Sequence, residues 1–352
     1  MGIKRGVSLY SYQQAEFLGQ MTWKDQLREV ATNLNGADGI EIISEATIPN
    51  YPMPPESFFF EWNNEMARWG LKAVTMDTYL DPLQFRDHVM TYAEAAEHIK
   101  YDLRLAKRMG FQNIRLVHDI PFEVIEMVLP LAEELDVRIT NEIHTPASIV
   151  PVRGRIGGWG TRVAEDIAFI QRTGTKHYGL QPDFNIFQHI PSRVQFSYVV
   201  REFYSKEEAD EITKVALDVW KKGGKKAMDE YMQKEYPQIF NYWMYDAYAS
   251  EMSARIEDLY SIAPYIFCIH GKFYEMTEIE GEPGHYEEAA IDYAAIIEVL
   301  KSIGYEGYIN SEYEGQRSCQ DMGEEYLANE VEEVRKHHEM LKRLIEKGYS
   351  WE

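Results

Sequence analysis

The sequence predicts an α/β protein: a (β/α)8 TIM barrel with a helical insertion after the sixth strand and a C-terminal closing helix. Three observations predict it. Eight short apolar or β-branched runs alternate with helical stretches, and such alternation builds a parallel sheet. The 352 residues suit a barrel whose usual length is roughly 250 residues before insertions. No glycine-rich phosphate loop follows an early strand, as an open doubly wound sheet would more often show. The expected organisation is one domain over residues 1–352, with a mostly helical insertion at about 190–260.

The elements follow in order. Arg5 to Tyr10 is the first strand, and Trp23 to Leu34 has helical spacing with Thr22 as its cap. Gly39 to Ile43 is the second strand, and Phe58 to Trp69 a helix closed by Gly70. Leu71 to Asp77 is the third strand, followed by a long amphipathic helix from Tyr92 to Met109 that stops at Gly110. Asn113 to His118 is the fourth strand and Pro121 to Leu135 a helix. The fifth strand is the front half of Val137-Arg-Ile-Thr-Asn-Glu-Ile-His-Thr-Pro146. The glycine-rich Arg153 to Gly160 reads as a flexible loop over a site, and Gly160 to Thr173 as a helix. His177 to Asp183 is the sixth strand. The long section after it has a capped helix start at Ser205 and breaks at Gly223-Gly224 and Pro237; its aromatic part, Tyr236 to Tyr248, suits an interface or a core equally. Tyr265 to His270 is the seventh strand, Tyr293 to Ile303 a helix, and Gly307 to Tyr313 the eighth strand. A closing helix runs from Glu324 to Lys347, with His337-His338 expected on its solvent face.

Composition narrows the function. The formal net charge is −22, spread along the chain, which repels nucleic acid backbones and anionic membranes. Two distant cysteines, Cys268 and Cys319, make no disulfide framework, so the chain reads as cytoplasmic. The N-terminus reads as a strand rather than a signal peptide, and no apolar run is long enough to span a bilayer.

Polar residues at the C-terminal strand ends of such a barrel converge on one mouth. In the second half of the chain those residues are Glu142, Asp183, His270 and Glu312. Three carboxylates and an imidazole suit Mn²⁺, with Mg²⁺, Co²⁺, Fe²⁺ or Zn²⁺ as competitors. A lone residue of this kind is more often a cap or a hydrogen-bonded core group; four at equivalent strand ends form a candidate metal centre. Glu142 and His144 are two apart, so on a strand they share a face. An imidazole can be neutral near pH 7, which makes His144 the candidate base. His118, Lys272 and Arg317 are candidates for holding substrate oxygens, and Glu314 for orienting the ligands. Tyr10, Glu41, Asp77 and Trp159 are expected to line the mouth.

These four strand-end residues, with Gly39-Ile-Glu41 early and Gly304-Tyr-Glu-Gly-Tyr-Ile-Asn-Ser-Glu312 late, resemble the xylose-isomerase-like TIM barrels of the sugar phosphate isomerase/epimerase group. The resemblance runs from Arg5 to about Leu344. Within that group, Asn141-Glu-Ile-His-Thr-Pro146, Gln181-Pro-Asp183 and the helical insertion look most like the large (alpha) subunit of bacterial C-glycoside deglycosidases. The resemblance implies a divalent metal on the four positions, usually Mn²⁺, and a small beta subunit that completes a hetero-oligomer. It implies a lyase acting on a 3-oxo-C-glycoside, a sugar joined to a polyphenol by a carbon–carbon bond. The alternative is a keto-sugar isomerase or epimerase, in which Glu142 and Glu312 would move the proton. Two further readings are a metal-dependent DNA-repair endonuclease, disfavoured by the acidic charge, and a scaffold subunit without metal.

Overall fold

Eight parallel strands form the barrel of the computed structural model, which describes residues 2–117, 120–144, 159–249 and 254–347, without the side chains of 159–161. They are β1 (Lys4–Ser8), β2 (Gly39–Ile43), β3 (Lys72–Thr78), β4 (Asn113–Leu116), β5 (Arg138–Ile143), β6 (Tyr178–Pro182), β7 (Ile269–Phe273) and β8 (Tyr308–Tyr313). The hydrogen-bonded order is β6-β5-β4-β3-β2-β1-β8-β7. Parallel bridges Leu180↔Ile266 and Asp183↔His270 join the two ends, so the barrel is nearly closed. The predicted α/β barrel is therefore observed.

The helices start and stop where their chemistry says. Thr22 with Asp25 and Thr91 with Glu94 form reciprocal capping boxes before the helices Trp23–Asn33 and Tyr92–Met109, which satisfies orphan N–H groups. Gly70 and Gly110 end their helices in the left-handed region, with φ of 70° and 86°, where a side chain would be strained. After β6 come the helices Arg193–Arg201 and Lys206–Glu235, the second kinked at Gly224, then the short turns Pro237–Phe240 and Tyr245–Tyr248. These bury a hydrophobic cluster of their own, including Phe196, Ile212, Trp220, Met232, Ile239 and Tyr245. Trp243, in the same aromatic section, is exposed. No described helix is long and apolar enough to cross a membrane.

Three expectations are corrected. The seventh strand starts at Ile269, not Tyr265, because Ala263–Tyr265 is a tight 3-10 turn containing Pro264. Its register opposite β8, Asn310↔His270 and Glu312↔Lys272, places His270 inside the strand rather than at its end. A short antiparallel pair, Met276–Glu278 with Tyr286–Glu288, follows β7; three-residue strands are too short to show a period. The closing helix is Glu330–Glu346, and His337 and His338 on it are buried, not solvent-facing.

That burial has a physical cause. Side chains alternate across a strand, so His270 and Lys272 of β7 face inward while Gly271 and Phe273 face the closing helix. His337 stacks on Phe273, centroids 4.0 Å apart and planes 5° from parallel. A Cβ at Gly271 would lie 2.8 Å from Ile309 Cγ2, so the glycine makes room for the isoleucine of the neighbouring strand, while His337 Cε1 would stand at ordinary contact distance, 3.4 Å. Ser311 Oγ of β8 bonds His337 Nδ1 at 2.8 Å and His338 Nε2 at 2.9 Å.

Candidate metal centre

Four second-half strands deliver the candidate ligands to one point. Glu142 comes from β5, His270 from β7, Glu312 from β8, and Asp183 directly follows β6. One ligand atom from each lies within 4.8 Å of the others. His270 Nδ1 is 2.7 Å from Glu142 Oε1, 3.0 Å from Glu312 Oε2 and 3.8 Å from Asp183 Oδ2. Asp183 Oδ2 and Glu312 Oε2 are buried and make no well-formed hydrogen bond among the described residues, although cations stand within ion-pair distance of both. Buried carboxylate oxygens left so are costly unless something coordinates them. With three carboxylates and an imidazole as donors, the residues present fit a divalent ion.

A lower layer holds His270 in place. Its Nε2 donates to Glu41 Oε1 at 2.8 Å. Glu41 Oε2 in turn accepts from Gln181 Nε2 at 3.2 Å and Asn310 Nδ2 at 2.9 Å. A carboxylate behind one imidazole nitrogen directs the other nitrogen at the ligand position. Burial alone would keep His270 neutral, but Glu312 and Glu41 outweigh it and push its proton affinity well up. Glu41, Asp77 and His270 also lie close enough to share an ion. Glu41 is already fully bonded there, and Arg115 Nε bonds Asp77 Oδ1 at 2.7 Å, so this group reads as the support of the upper one.

Two permanent cations flank the ring. Arg115, inward on β4 and almost fully buried, spans Asp77 and Glu142, with Nη1 2.5 Å from Glu142 Oε2. Burial would raise the Glu142 carboxyl; Arg115, then His270, overcome this and hold it well below the usual range. Lys272, with 1% of its side chain exposed, places Nζ 2.8 Å from Glu312 Oε2, 3.2 Å from Asp183 Oδ2 and 3.1 Å from Glu314 Oε2. Burial again opposes ionisation of Glu312, and His270 and Lys272 together hold it ionised.

The other expected residues fall in distinct places. His144 follows the last residue of β5, with 39% of its side chain exposed and Nε2 3.8 Å from Asp183 Oδ2. Asn185 Nδ2 donates to the same Nε2 at 2.8 Å, and Asp183 Oδ1 accepts from the Asn185 backbone N–H at 2.8 Å. Glu314 takes Tyr10 OH at 3.3 Å and Arg317 Nη1 at 3.2 Å on Oε1; Arg317 is otherwise exposed. Glu41 and Asp77 sit in the interior, fully buried, rather than on the mouth. His118, the glycine-rich stretch and the Trp159 side chain lie outside the described residues.

Sequence reasoning missed Arg115, Gln181, Asn185 and Asn310. Arg115 had a readable signal: an arginine at an inward position of a buried strand demands carboxylate partners. Asn185 also had one, since Asp183 two residues earlier is placed to cap its backbone. Gln181 and Asn310 carried none, because only the closed barrel brings them to Glu41.

Comparison with known proteins agrees with this picture. No protein-family model matches the chain. Among curated proteins, it is 26% identical over 354 residues to the C-glycoside deglycosidase alpha subunit of Arthrobacter globiformis, covering 99% of this chain and 94% of that one. The chain is similar to C-glycoside deglycosidase alpha subunits along nearly its whole length. The 3'-dehydrocarminate deglycosidase alpha subunit of a Microbacterium species is 25% identical over 325 residues, 88% of each chain. Among solved structures, the IOLI protein with a bound zinc atom has a TM-score of 0.56 at 15% identity, covering 99% of this chain and 100% of that one. A sugar phosphate isomerase/epimerase from Parabacteroides distasonis has a TM-score of 0.55 at 13% identity, covering 98% and 96%. The barrel fold is thus shared with that of a sugar phosphate isomerase/epimerase, in line with the resemblance, and the named relatives indicate an enzyme.

Proposed function

We propose that the chain is the large subunit of a metal-dependent carbon–carbon lyase that releases the polyphenol from 3-oxo-C-glycosides. The observation that carries this reading is the place of His144, two residues beyond Glu142 and beside the four-ligand group. Glu142 and Glu312 each have an oxygen against a permanent cation, Arg115 or Lys272, and a carboxylate so held is a weak base. His144 stands beside the ring, partly exposed, with Nε2 3.8 Å from Asp183 Oδ2 and 2.8 Å from Asn185 Nδ2. The curated relatives named as deglycosidase alpha subunits support the same substrate class.

In this reading the 3-keto group acidifies the hydrogen on C2 of the sugar. His144 takes that proton, and the C–H electron pair enters the enolate. The enolate re-forms the ketone as the C1–aryl bond breaks, leaving a 1,2-unsaturated 3-keto sugar. The aryl carbon departs with the bonding pair and takes a proton, which the His144 imidazolium can return. Asn185 must release Nε2 for that lone pair to reach C2. A divalent ion on Glu142, Asp183, His270 and Glu312, with Mn²⁺ the first choice over Mg²⁺, Co²⁺, Fe²⁺ or Zn²⁺, would supply Lewis-acid stabilisation of the enolate. Lys272 and Arg317 are the candidate holders of other substrate oxygens, and Glu314 anchors both. The relatives' designation as alpha subunits supports a small partner subunit.

A keto-sugar isomerase or epimerase is the second reading, supported by the shared fold with an L-ribulose 3-epimerase at a TM-score of 0.54 and 14% identity. It asks Glu142 and Glu312 to move the proton, against the clamps just described. The deciding experiment combines elemental analysis of the purified chain with two assays, run with and without the co-expressed small subunit. Release of aglycone from a 3-oxo-C-glycoside is expected; interconversion of free ketoses without aglycone release would overturn the lyase reading in favour of the second.

A further inference from the structure

One residue at the ring is in an unusual position for a metal site: a buried lysine touching the ligand oxygens themselves. Lys272 lies two residues after His270 on the inner face of β7 and directly opposite Glu312 in the sheet register. Its backbone is held by the ladder, so only its side chain is free to move. Its Nζ reaches Glu312 Oε2 at 2.8 Å and Asp183 Oδ2 at 3.2 Å. These are the two ligand oxygens without a well-formed hydrogen bond, and His270 Nδ1 approaches the same pair at 3.0 Å and 3.8 Å. The ammonium and the imidazole nitrogen thus share the same two acceptors.

Glu314 offers the ammonium another acceptor. Its Oε2 stands 3.1 Å from Nζ, while its Oε1 is occupied by Tyr10 and Arg317. Glu314 is outside the four-ligand group, so a contact with it survives whatever happens in the ring. A dication on Asp183 and Glu312 would repel an ammonium at its present place, and the low dielectric of the interior strengthens that repulsion. Without any cation, the crowded carboxylates would repel one another instead.

We infer that Lys272 is a resident counter-cation, which competes with a divalent ion for Asp183 Oδ2 and Glu312 Oε2, and that Glu314 retains its ammonium when the ion binds. The inference rests on the metal reading above. It makes the site self-neutralising when empty and moderates its hold on the ion.

The test is titration of the full-length chain with Mn²⁺, followed by electron paramagnetic resonance of free Mn²⁺ and by calorimetry. Lys272→Met should bind Mn²⁺ at least about tenfold more tightly than wild type, because a neighbouring positive charge is gone. Lys272→Arg, which keeps the charge, should not gain. Glu314→Gln should weaken binding by about threefold to tenfold in the wild-type background and by less than about twofold in the Lys272→Met background, the signature of coupled residues. Should Lys272→Met fold only with Mn²⁺ present, chelator competition on the loaded protein gives its affinity. The inference is overturned if Lys272→Met binds no more tightly, or if the Glu314 effect persists without the lysine. If wild type binds no divalent ion, the metal reading falls and this inference with it; if wild type binds and the variants match it, the inference alone falls.

Discussion

The same two strands bury histidine on both faces, with opposite results. Inside the barrel, His270 of β7 is surrounded by Glu41, Glu142, Asp183 and Glu312, and its proton affinity is pushed well up. Outside, His337 and His338 of the closing helix pack on Phe273 and Ser311, and burial pushes both down, His338 to about 3. Burial is nearly complete in each case. The neighbours decide: carboxylates favour the imidazolium, whereas in the outer pair burial, then Arg5 beside His338 and the second ring beside His337, disfavour it.

Ser311 Oγ bridges the outer pair, 2.8 Å from His337 Nδ1 and 2.9 Å from His338 Nε2, and Arg5 Nη1 faces His338 Nδ1 at 3.4 Å. His337 Nε2 has no hydrogen-bond partner among the described residues. This arrangement is structural, built for two neutral rings; the inner one is built around charge.

The comparison breaks most sharply at the ring. Glu142→Ala and Asp183→Asn should each lower metal affinity more than about a hundredfold, beyond what an outer partner costs, and turnover should vanish while circular dichroism stays native. Survival of both metal content and turnover would sink the site. His144→Ala should lose turnover but keep its metal, and full turnover in that variant would remove His144 as base without touching the ligands.

Next in size is acid. The outer histidines have depressed folded values against about 6.5 in the unfolded chain, so the unfolded state binds more protons as pH falls. Their contribution is complete above about 6.5 and is lost progressively toward about 3. Glu288 and Glu330, raised to about 7 by burial, act the other way and lose their contribution as pH rises through that value. The difference between wild type and His338→Gln isolates the histidine: urea midpoints should converge as pH drops from 7.5 to 4.5. Parallel midpoints across that range would contradict it.

Smaller effects sharpen the same contrast. Glu41→Gln should cost about tenfold in metal affinity, the lower end for a residue that orients a ligand, with little change in stability. Ser311→Ala should do the reverse, costing about 1–2 kcal/mol of stability at unchanged metal affinity. If Ser311→Ala altered metal binding as much as Glu41→Gln, the two faces would be coupled rather than separate.

Much of this was legible in the chain. Strand–helix alternation, the capping boxes and the glycine stops are local, so period and turn chemistry located most elements to within a few residues. The ring residues were readable because inward-facing polar groups on successive strands stand out against apolar runs. What only the tertiary structure decided depends on which side of a strand a neighbour arrives. Pro264 and the pairing with β8 shifted β7 and set His270 inside it. The closing helix covered His337 and His338, which its own sequence left on a polar face. Arg115 and Lys272 met Asp77 and Glu312 only through the pairing of neighbouring strands. Residue type and spacing announce a candidate ligand; the charge beside it, which governs what it can do, is brought by strands far away in the chain.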